Sequence, residues 1–531
     1  MKSFLQKYWL YFVLAIAIYF AFFWRLDGAL LWRDEATTAC WAREMAQSNS
    51  LVPKVRNDEQ LIVQGAKGHD FNEHFLPSMQ GWLQFYVSAI FFKIFGANTF
   101  TARLPYVLLG IFGIYLLFLI FRKLFDDRRF AEIAAFVCIF SLPYLHFVRQ
   151  SRYYALVIVI SLAIFYELIK YLKSPDENRG RAFFVKIGIY GVLLFLSNYL
   201  TFGFLWAGLL AGLLVIREKR FTIGFLITSA AILLVVSPMI IFVHSAFIQR
   251  AEMTELPLWS NYWTWLMLAF RRMNLLLPII PFIILEIFLF IRYRDQVSAH
   301  LKLINLFWVI MITTIVLSVL LVKSNAFLRY YLFTIPISLI AAAVFIYWAF
   351  TIWGRKVALI FLGVLFIYHN WTSVLNMSEA VVKRQFTKNA SFNKPMVEFL
   401  EQNIKPGDKV AFIRNDKGMA AYFYLPQMKW VAVLEAKNPY NEVYRDRLSP
   451  AMFDDYKEVN WVVVWGEMGL PARVEQGYEL IWNYRFGLNQ QKAANTGGYT
   501  PKQFTITQAE AGIVGNLQYY DFYKRKDIQK D

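Results

Sequence analysis

Leu31-Trp32-Arg33-Asp34-Glu35-Ala36 sets two adjacent carboxylates just past the first apolar run of the chain, residues 8–24. That run is long enough to cross a bilayer. It follows Met1-Lys2-Ser3, the position of a signal peptide, but bulky Phe22-Phe23-Trp24-Arg25 stands where a small-residue cleavage site would be. The run therefore reads as an uncleaved span. Asp34 and Glu35 then lie where the chain leaves the membrane. Adjacent residues on a helix point about 100° apart, so the two carboxylates do not face one point.

The rest of the composition agrees with a membrane chain. Of 531 residues, 58% are hydrophobic and 17% charged, with 50 Phe, 30 Tyr and 17 Trp, which does not describe one soluble domain. The net charge of +18 flanks the apolar runs, so it reports topology and anionic lipid contact rather than nucleic acid. Two cysteines, Cys40 and Cys138, exclude a disulfide framework and Cys-based zinc modules, and both read as packed free thiols.

Hydropathy and length predict about eleven crossings, at residues 8–24, 104–121, 131–148, 154–172, 183–197, 200–215, 221–243, 275–291, 303–322, 331–350 and 357–374. The run 82–95 is short and carries Gln84 and Lys93. Charge decides its placement. Arg122-Lys123, Arg128-Arg129, Lys173, Arg217, Arg292, Arg294 and Arg355-Lys356 all fall on the cytoplasmic side only if 82–95 does not cross. It is read as an external interfacial helix. The loop 27–103, the turn 146–153, the loop 244–274 and everything beyond about residue 375 then lie outside.

From residue 376 polar and charged residues rise and no span follows. Residues 409–413, 430–434 and 461–465 read as short buried strands, and 395–403 as an amphipathic helix stopped by Pro406-Gly407. The expected fold is a polytopic α-helical membrane domain, 1–375, with juxtamembrane helices in its first external loop. A soluble α/β domain, 376–531, follows it.

Three further stretches carry chemistry-bearing side chains. His146-Phe147-Val148-Arg149-Gln150-Ser151-Arg152-Tyr153-Tyr154-Ala155-Leu156 sets two arginines three apart, on one face if helical. Leu328-Arg329-Tyr330-Tyr331-Leu332, followed by Pro336, puts a guanidinium at the external end of a late span. His69, Asp70, Glu73 and His74 cluster in the first loop, at a spacing unlike a helical zinc pair. A solvated polar loop is the plainer reading there, with sugar or acceptor contact between the two. Arg271-Arg272 close the loop 244–274 behind an aromatic belt, Tyr262-Trp263 and Trp265. No Walker lysine, dinucleotide glycine fingerprint or serine nucleophile elbow occurs.

Asp34-Glu35 after the first span, Arg152 with Tyr154-Ala155-Leu156, and Arg329-Tyr330 with Pro336 resemble motifs of the C-type glycosyltransferases. These use polyprenyl-phosphate sugars and include the protein O-mannosyltransferases and the lipid A aminoarabinose transferases. Phe95-Gly96-Ala97-Asn98 with Arg103-Leu104-Pro105 is similar to the family's junction after its juxtamembrane helix. Bacterial members commonly read Ser-Gln-Glu-Ala-Arg-Met-Tyr-Ala-Leu at the second motif; Gln150 stands here in place of the Glu. Glu73-His74-Phe75-Leu76-Pro77 only approximates the family's His-Pro-Pro-Leu-Tyr-Tyr, which makes His74 a weak substrate-binding candidate.

The resemblance implies transfer of a monosaccharide from a polyprenyl-phosphate donor to a lipid, glycan or protein acceptor. It implies a bacterial inner membrane setting, with the active site and the C-terminal domain facing the periplasm. Such transfer needs a base for the acceptor hydroxyl, negative charge near an oxocarbenium-like centre, and cations for the leaving phosphate. Asp34 is the expected base, or else the N-cap of a helix 35–47. Glu35 orients it or binds acceptor. Arg152, Arg329, Arg149 and Tyr330 are the expected phosphate ligands, with headgroup anchoring as the alternative for the arginines. Arg271 and Arg272 contact phosphate or lipid headgroups. Membrane lipids are expected partners and nucleic acid is not. No cofactor is expected, and a divalent metal is not favoured. An O-antigen ligase or polymerase, or a lipid-linked sugar transporter, is the alternative. Cysteine labelling tests the topology: a cysteine placed at Asn98 reacts from outside, and reaction only from the cytoplasm overturns the eleven-span reading.

Overall fold

The computed structural model describes residues 12–53, 80–173, 181–252, 259–322, 328–376, 394–413, 418–426, 429–433, 460–465, 478–485 and 519–525. The chain forms two compact units. One comprises Met1–Trp24, Gln80–Gln84 and Arg103–Asn376; the other comprises Arg25–Met79, Phe85–Ala102 and Met377–Asp531.

The first unit is a bundle of apolar helices. Among the described residues, six are long and apolar enough to cross a membrane: Thr99–Leu124, Tyr154–Lys173, Tyr199–Ile216, Lys219–Ile241, His300–Ser318 and Thr334–Trp353. A seventh is reached if the bent pair Arg128–Cys138 and Leu142–Val148 counts as one span. The remaining expected runs fall on the helices Phe12–Phe23, Arg181–Ser197, Ile279–Val322 and Arg355–Asn376, the first being described only from Phe12 on.

Local sequence explains the breaks. The run expected at 131–148 is bent by 61°. Ser141 caps the second piece through its side chain, and Pro143 sits in the first turn, where a missing N–H costs nothing. The bend is braced from the last helix. Asn370 Oδ1 accepts from Leu142 N at 2.7 Å, and His369 Nε2 lies 2.8 Å from Ser141 Oγ. The 44-residue helix Ile279–Val322 leaves helical geometry at Tyr293, between Arg292 and Arg294, so two expected spans meet at their basic turn.

Small residues let these helices approach, as membrane packing favours. Tyr144 donates to the Gly110 carbonyl, and its hydroxyl fills the space a side chain at Gly113 would need. Gly81 is more tightly placed: a Cβ there would stand 2.3 Å from the Leu196 carbonyl oxygen and 2.4 Å from Ser197 backbone atoms.

In the second unit, Leu83–Phe95 contributes from Phe85 on. It is a 13-residue helix, about 20 Å long at 1.5 Å per residue and short of a 30 Å hydrocarbon core. Phe85 and Phe92 are buried while Ile90, Ile94 and Phe95 are exposed, so it has two faces. Gly96, at φ 76°, ends it.

The same unit holds a five-stranded sheet in the order β2-β1-β3-β5-β4. Strands β1 (Lys409–Ile413), β2 (Lys429–Val433) and β3 (Trp461–Trp465) are parallel and lie within a residue of the expected positions. The helix Gly418–Tyr424 lies between β1 and β2 in sequence, the crossover a parallel pair requires. Strands β4 (Tyr478–Arg485) and β5 (Tyr519–Arg525) add an antiparallel half. Neither was expected, and β5 ends on two basic residues, Lys524 and Arg525. A bulge between Leu480 and Trp482 breaks the alternation of β4, and Tyr-Tyr-Asp-Phe-Tyr-Lys-Arg has no clean period of two. The helix Lys394–Asn403 buries Met396, Phe399 and Leu400, with Phe399 edge-on to Trp461 at 6.0 Å.

Gly81→Ala forces backbone apart rather than a flexible side chain, so the cost is at the upper end of overpacking, about 3 kcal/mol. A lowered thermal midpoint in detergent is the expected result.

Candidate active site

The second unit carries the carboxylates. The helix Arg33–Ser48 begins at an extended residue, Trp32, which is its N-cap (φ −80°, ψ 169°). Glu35 Oε2 accepts from the Trp32 N–H at 3.3 Å, the reach-back of a capping box. This corrects the alternative in which Asp34 caps a helix 35–47. The helix starts two residues earlier, and the capping carboxylate is Glu35, which is fully buried. Asp34 stands at the second helical position and is half-buried. The helix N-terminus favours its negative charge. The step of about 100° between the two adjacent carboxylates points them in different directions.

Behind them the same helix makes a buried polar cluster. Arg43 donates to the carbonyls of Tyr422 and Phe423 at 3.1 and 3.0 Å, the orphan acceptors at the end of helix Gly418–Tyr424. Glu44 lies 3.3 Å from Arg43 and accepts from the Tyr422 hydroxyl at 2.8 Å. Arg43 also lies 4.5 Å from the centre of the Tyr422 ring. Burial pushes the Cys40 thiol up to about 12, with Arg43 opposing and Glu44 adding to the shift. Cys40 and Cys138 are both free and buried, as their sequence setting indicated.

The first unit carries the cationic turn. The helix Leu142–Val148 stops at Arg149, so Arg149 and Arg152 are not on one helical face as their spacing suggested. They diverge. Arg149 donates to the carbonyls of Ala21 and Trp24, both at 2.7 Å, and so closes the C-terminal end of the first helix. Desolvation by burial, with the charge of Arg103 adding to it, lowers its pKa to about 10. Gln150 turns back onto His146, its amide nitrogen 2.9 Å from the carbonyl oxygen.

Arg152 donates to Gln80 Oε1 at 2.9 Å and lies over the Tyr153 and Tyr154 rings, at 5.3 and 6.0 Å. It is 5% exposed, so this placement is fixed by its surroundings. The segment Gln80–Gln84 is the frame. Gln84 Oε1 accepts from Tyr153 N at 3.2 Å, Gln84 O from Tyr106, and Gln80 O from Tyr199. Gly81 lets this frame lie against backbone.

Arg329 sits in the short helix Leu328–Tyr330, 5.5 Å from the Tyr330 ring. Burial pushes the Tyr153 hydroxyl well up and Tyr154 adds to it, while Arg152 and Arg329 both pull it back. Two arginines far apart in sequence thus act on one buried phenol. Arg271 is exposed on the helix Trp259–Asn274, away from this frame in sequence. The Arg272 side chain, and His69, Asp70, Glu73 and His74, lie outside the described residues. The sequence reading missed Gln80, Gly81, Gln84 and Arg43. Glutamine and glycine carry no charge signal, and Arg43 lies on a helix whose partner is 379 residues away.

The family model of dolichyl-phosphate-mannose-protein mannosyltransferases matches residues 80–242, the stretch that holds the Gln80–Gln84 frame and Arg152. ArnT from Cupriavidus metallidurans bound to undecaprenyl phosphate has a similar fold. It is 15% identical over 86% of this chain and 92% of that one, with a TM-score of 0.55. The same protein in the apo state is 14% identical over 87% and 93%, also at 0.55. At such identities the likeness is one of fold. No curated protein matches the chain. The matched segment and the shared fold agree with the resemblance drawn from the motifs: residues 80–242 match the mannosyltransferase family model, and the fold is similar to that of ArnT.

Proposed function

We propose that the chain is a membrane glycosyltransferase that moves a monosaccharide from a polyprenyl-phosphate donor to an extracytoplasmic acceptor. The observation that carries this reading is the guanidinium of Arg152 braced by Gln80, both within the segment that matches the mannosyltransferase family model. The undecaprenyl phosphate bound to the structurally similar ArnT supports a polyprenyl phosphate as the lipid. The proposal includes about eleven crossings of the bacterial inner membrane. The loop 27–103 and the residues beyond 376 face the periplasm.

In the proposed reaction the acceptor hydroxyl gives its proton to Asp34 as its oxygen bonds to C1 of the sugar. The C1–oxygen bond to phosphate breaks, and the pair of electrons leaves on the phosphate. That group is a stable anion and needs cations rather than an acid. Arg152 and Arg329 supply them, with Tyr330 beside Arg329 as a further contact. Arg149 is assigned to the first helix instead, because both its terminal nitrogens are held by backbone carbonyls. Glu35 keeps the helix start in place, which leaves Asp34 for chemistry.

Asp34→Asn keeps the size of the side chain and does not touch the cap. The folded, membrane-inserted variant is expected to lose about 10²-fold or more in turnover when donor consumption is followed in proteoliposomes. Near-normal turnover removes the base assignment and makes Glu35 the next candidate. Movement of donor across the bilayer without its consumption identifies a transporter instead. Arg152→Ala is expected to lower turnover about 10²-fold, and Arg152→Lys to restore little, because a point charge does not replace a planar fork. Full activity of Arg152→Lys would count against phosphate binding through the guanidinium.

A further inference from the structure

The residues beyond 376 gave no chemistry to the sequence reading, yet one of their side chains reaches the chain segment that leads into the Asp34 helix. The Leu31 N–H donates to Tyr424 Oη at 2.8 Å. The same hydroxyl lies 2.8 Å from Thr99 Oγ1. Either of these two oxygens can be the donor in that second bond. One phenol therefore ties three segments: the lead-in to helix Arg33–Ser48, the start of helix Thr99–Leu124, and the end of helix Gly418–Tyr424. Leu31 is fully buried, Thr99 is 8% exposed and Tyr424 is half-buried, so the link is partly shielded from water.

A second contact makes the arrangement directional. Arg43 holds the carbonyl end of helix Gly418–Tyr424 through Tyr422 and Phe423, and Glu44 holds the Tyr422 hydroxyl. The Phe423 ring lies 6.0 Å from Phe92. Helix Arg33–Ser48 is thus gripped three turns in, at Arg43-Glu44, and again just ahead of its first residue, at Leu31. The grip at Arg43 fixes where the short helix lies. The bond at Leu31 then fixes the backbone from which Trp32, the N-cap, and Asp34 follow. A side chain on the first turn moves with that backbone, and an ångström of displacement is enough to spoil proton transfer geometry.

We propose that Tyr424 is a positioning residue for Asp34: its hydroxyl holds Leu31, and through it the first turn of the catalytic helix, in the orientation that transfer requires. This rests on the proposed role of Asp34 as the base. It also gives the C-terminal region a part in the reaction other than that of an appendage.

Tyr424→Phe removes one oxygen atom and keeps the ring. In the full-length protein, hydrogen–deuterium exchange of a peptide covering residues 29–35 is expected to rise about fivefold, the loss of one partly buried hydrogen bond. Exchange in strands β1 and β3 is expected to stay the same. In proteoliposomes, kcat is expected to fall about tenfold with the KM for donor unchanged. A merely structural role would lower the amount of folded protein but not kcat per folded molecule. Unchanged exchange at 29–35 overturns the anchor, and faster exchange with unchanged kcat overturns positioning. If Asp34→Asn transfers normally, the base assignment is what has failed. The exchange readout needs no donor and still decides whether Tyr424 holds Leu31.

Discussion

A buried guanidinium has to be met by acceptors, and that requirement organises both units of this protein. In the first unit Arg149 and Arg152 leave one short turn in different directions because different acceptors claim them. The carbonyls at the end of the first helix take Arg149, and the Gln80 side chain takes Arg152. In the second, Arg43 meets the last carbonyls of a seven-residue helix. Desolvating such a group without partners would cost several kcal/mol, so each arginine fixes the backbone it reaches.

The frame at Gln80–Gln84 shows how neutral residues do this work for charged ones. An amide side chain offers an acceptor to a guanidinium without adding a charge that would cancel it. Arg152 is therefore held in position by a neutral partner at Gln80. Gly81 is the steric counterpart: without a Cβ the frame can lie directly on the Leu196–Ser197 backbone. A carboxylate in place of Gln80 would hold Arg152 at least as firmly but would add a negative charge beside it.

The same economy of roles separates Asp34 from Glu35. Both are acidic, adjacent and at a helix start. The third helical position reaches back to the N-cap N–H and the second does not. Glu35 is thereby held at the helix start, and helix geometry points its neighbour in another direction.

Much of the helical part was legible in the sequence, because apolar length and flanking basic residues are local signals. The expected runs fall on helices, and Trp82–Phe95 was set apart by its length and by Gln84 and Lys93. The first three strands were readable for a similar reason: short runs such as Trp-Val-Val-Val-Trp have few other uses. Strand β4 was hidden by its bulge and β5 by its charges, and the cap at Trp32 by a residue type that does not usually cap. Asp34, Glu35, Arg152 and Arg329 could be singled out by motif. What each does depends on partners brought from afar: Gln80 lies 72 residues from Arg152, and Tyr424 lies 393 from Leu31. The residue types and their order along the membrane were set by the sequence itself. Which arginine is clamped, which carboxylate caps, and which phenol holds the lead-in to helix Arg33–Ser48 were decided only in three dimensions, because a hydrogen bond is specified by distance and direction between groups that the chain order does not relate.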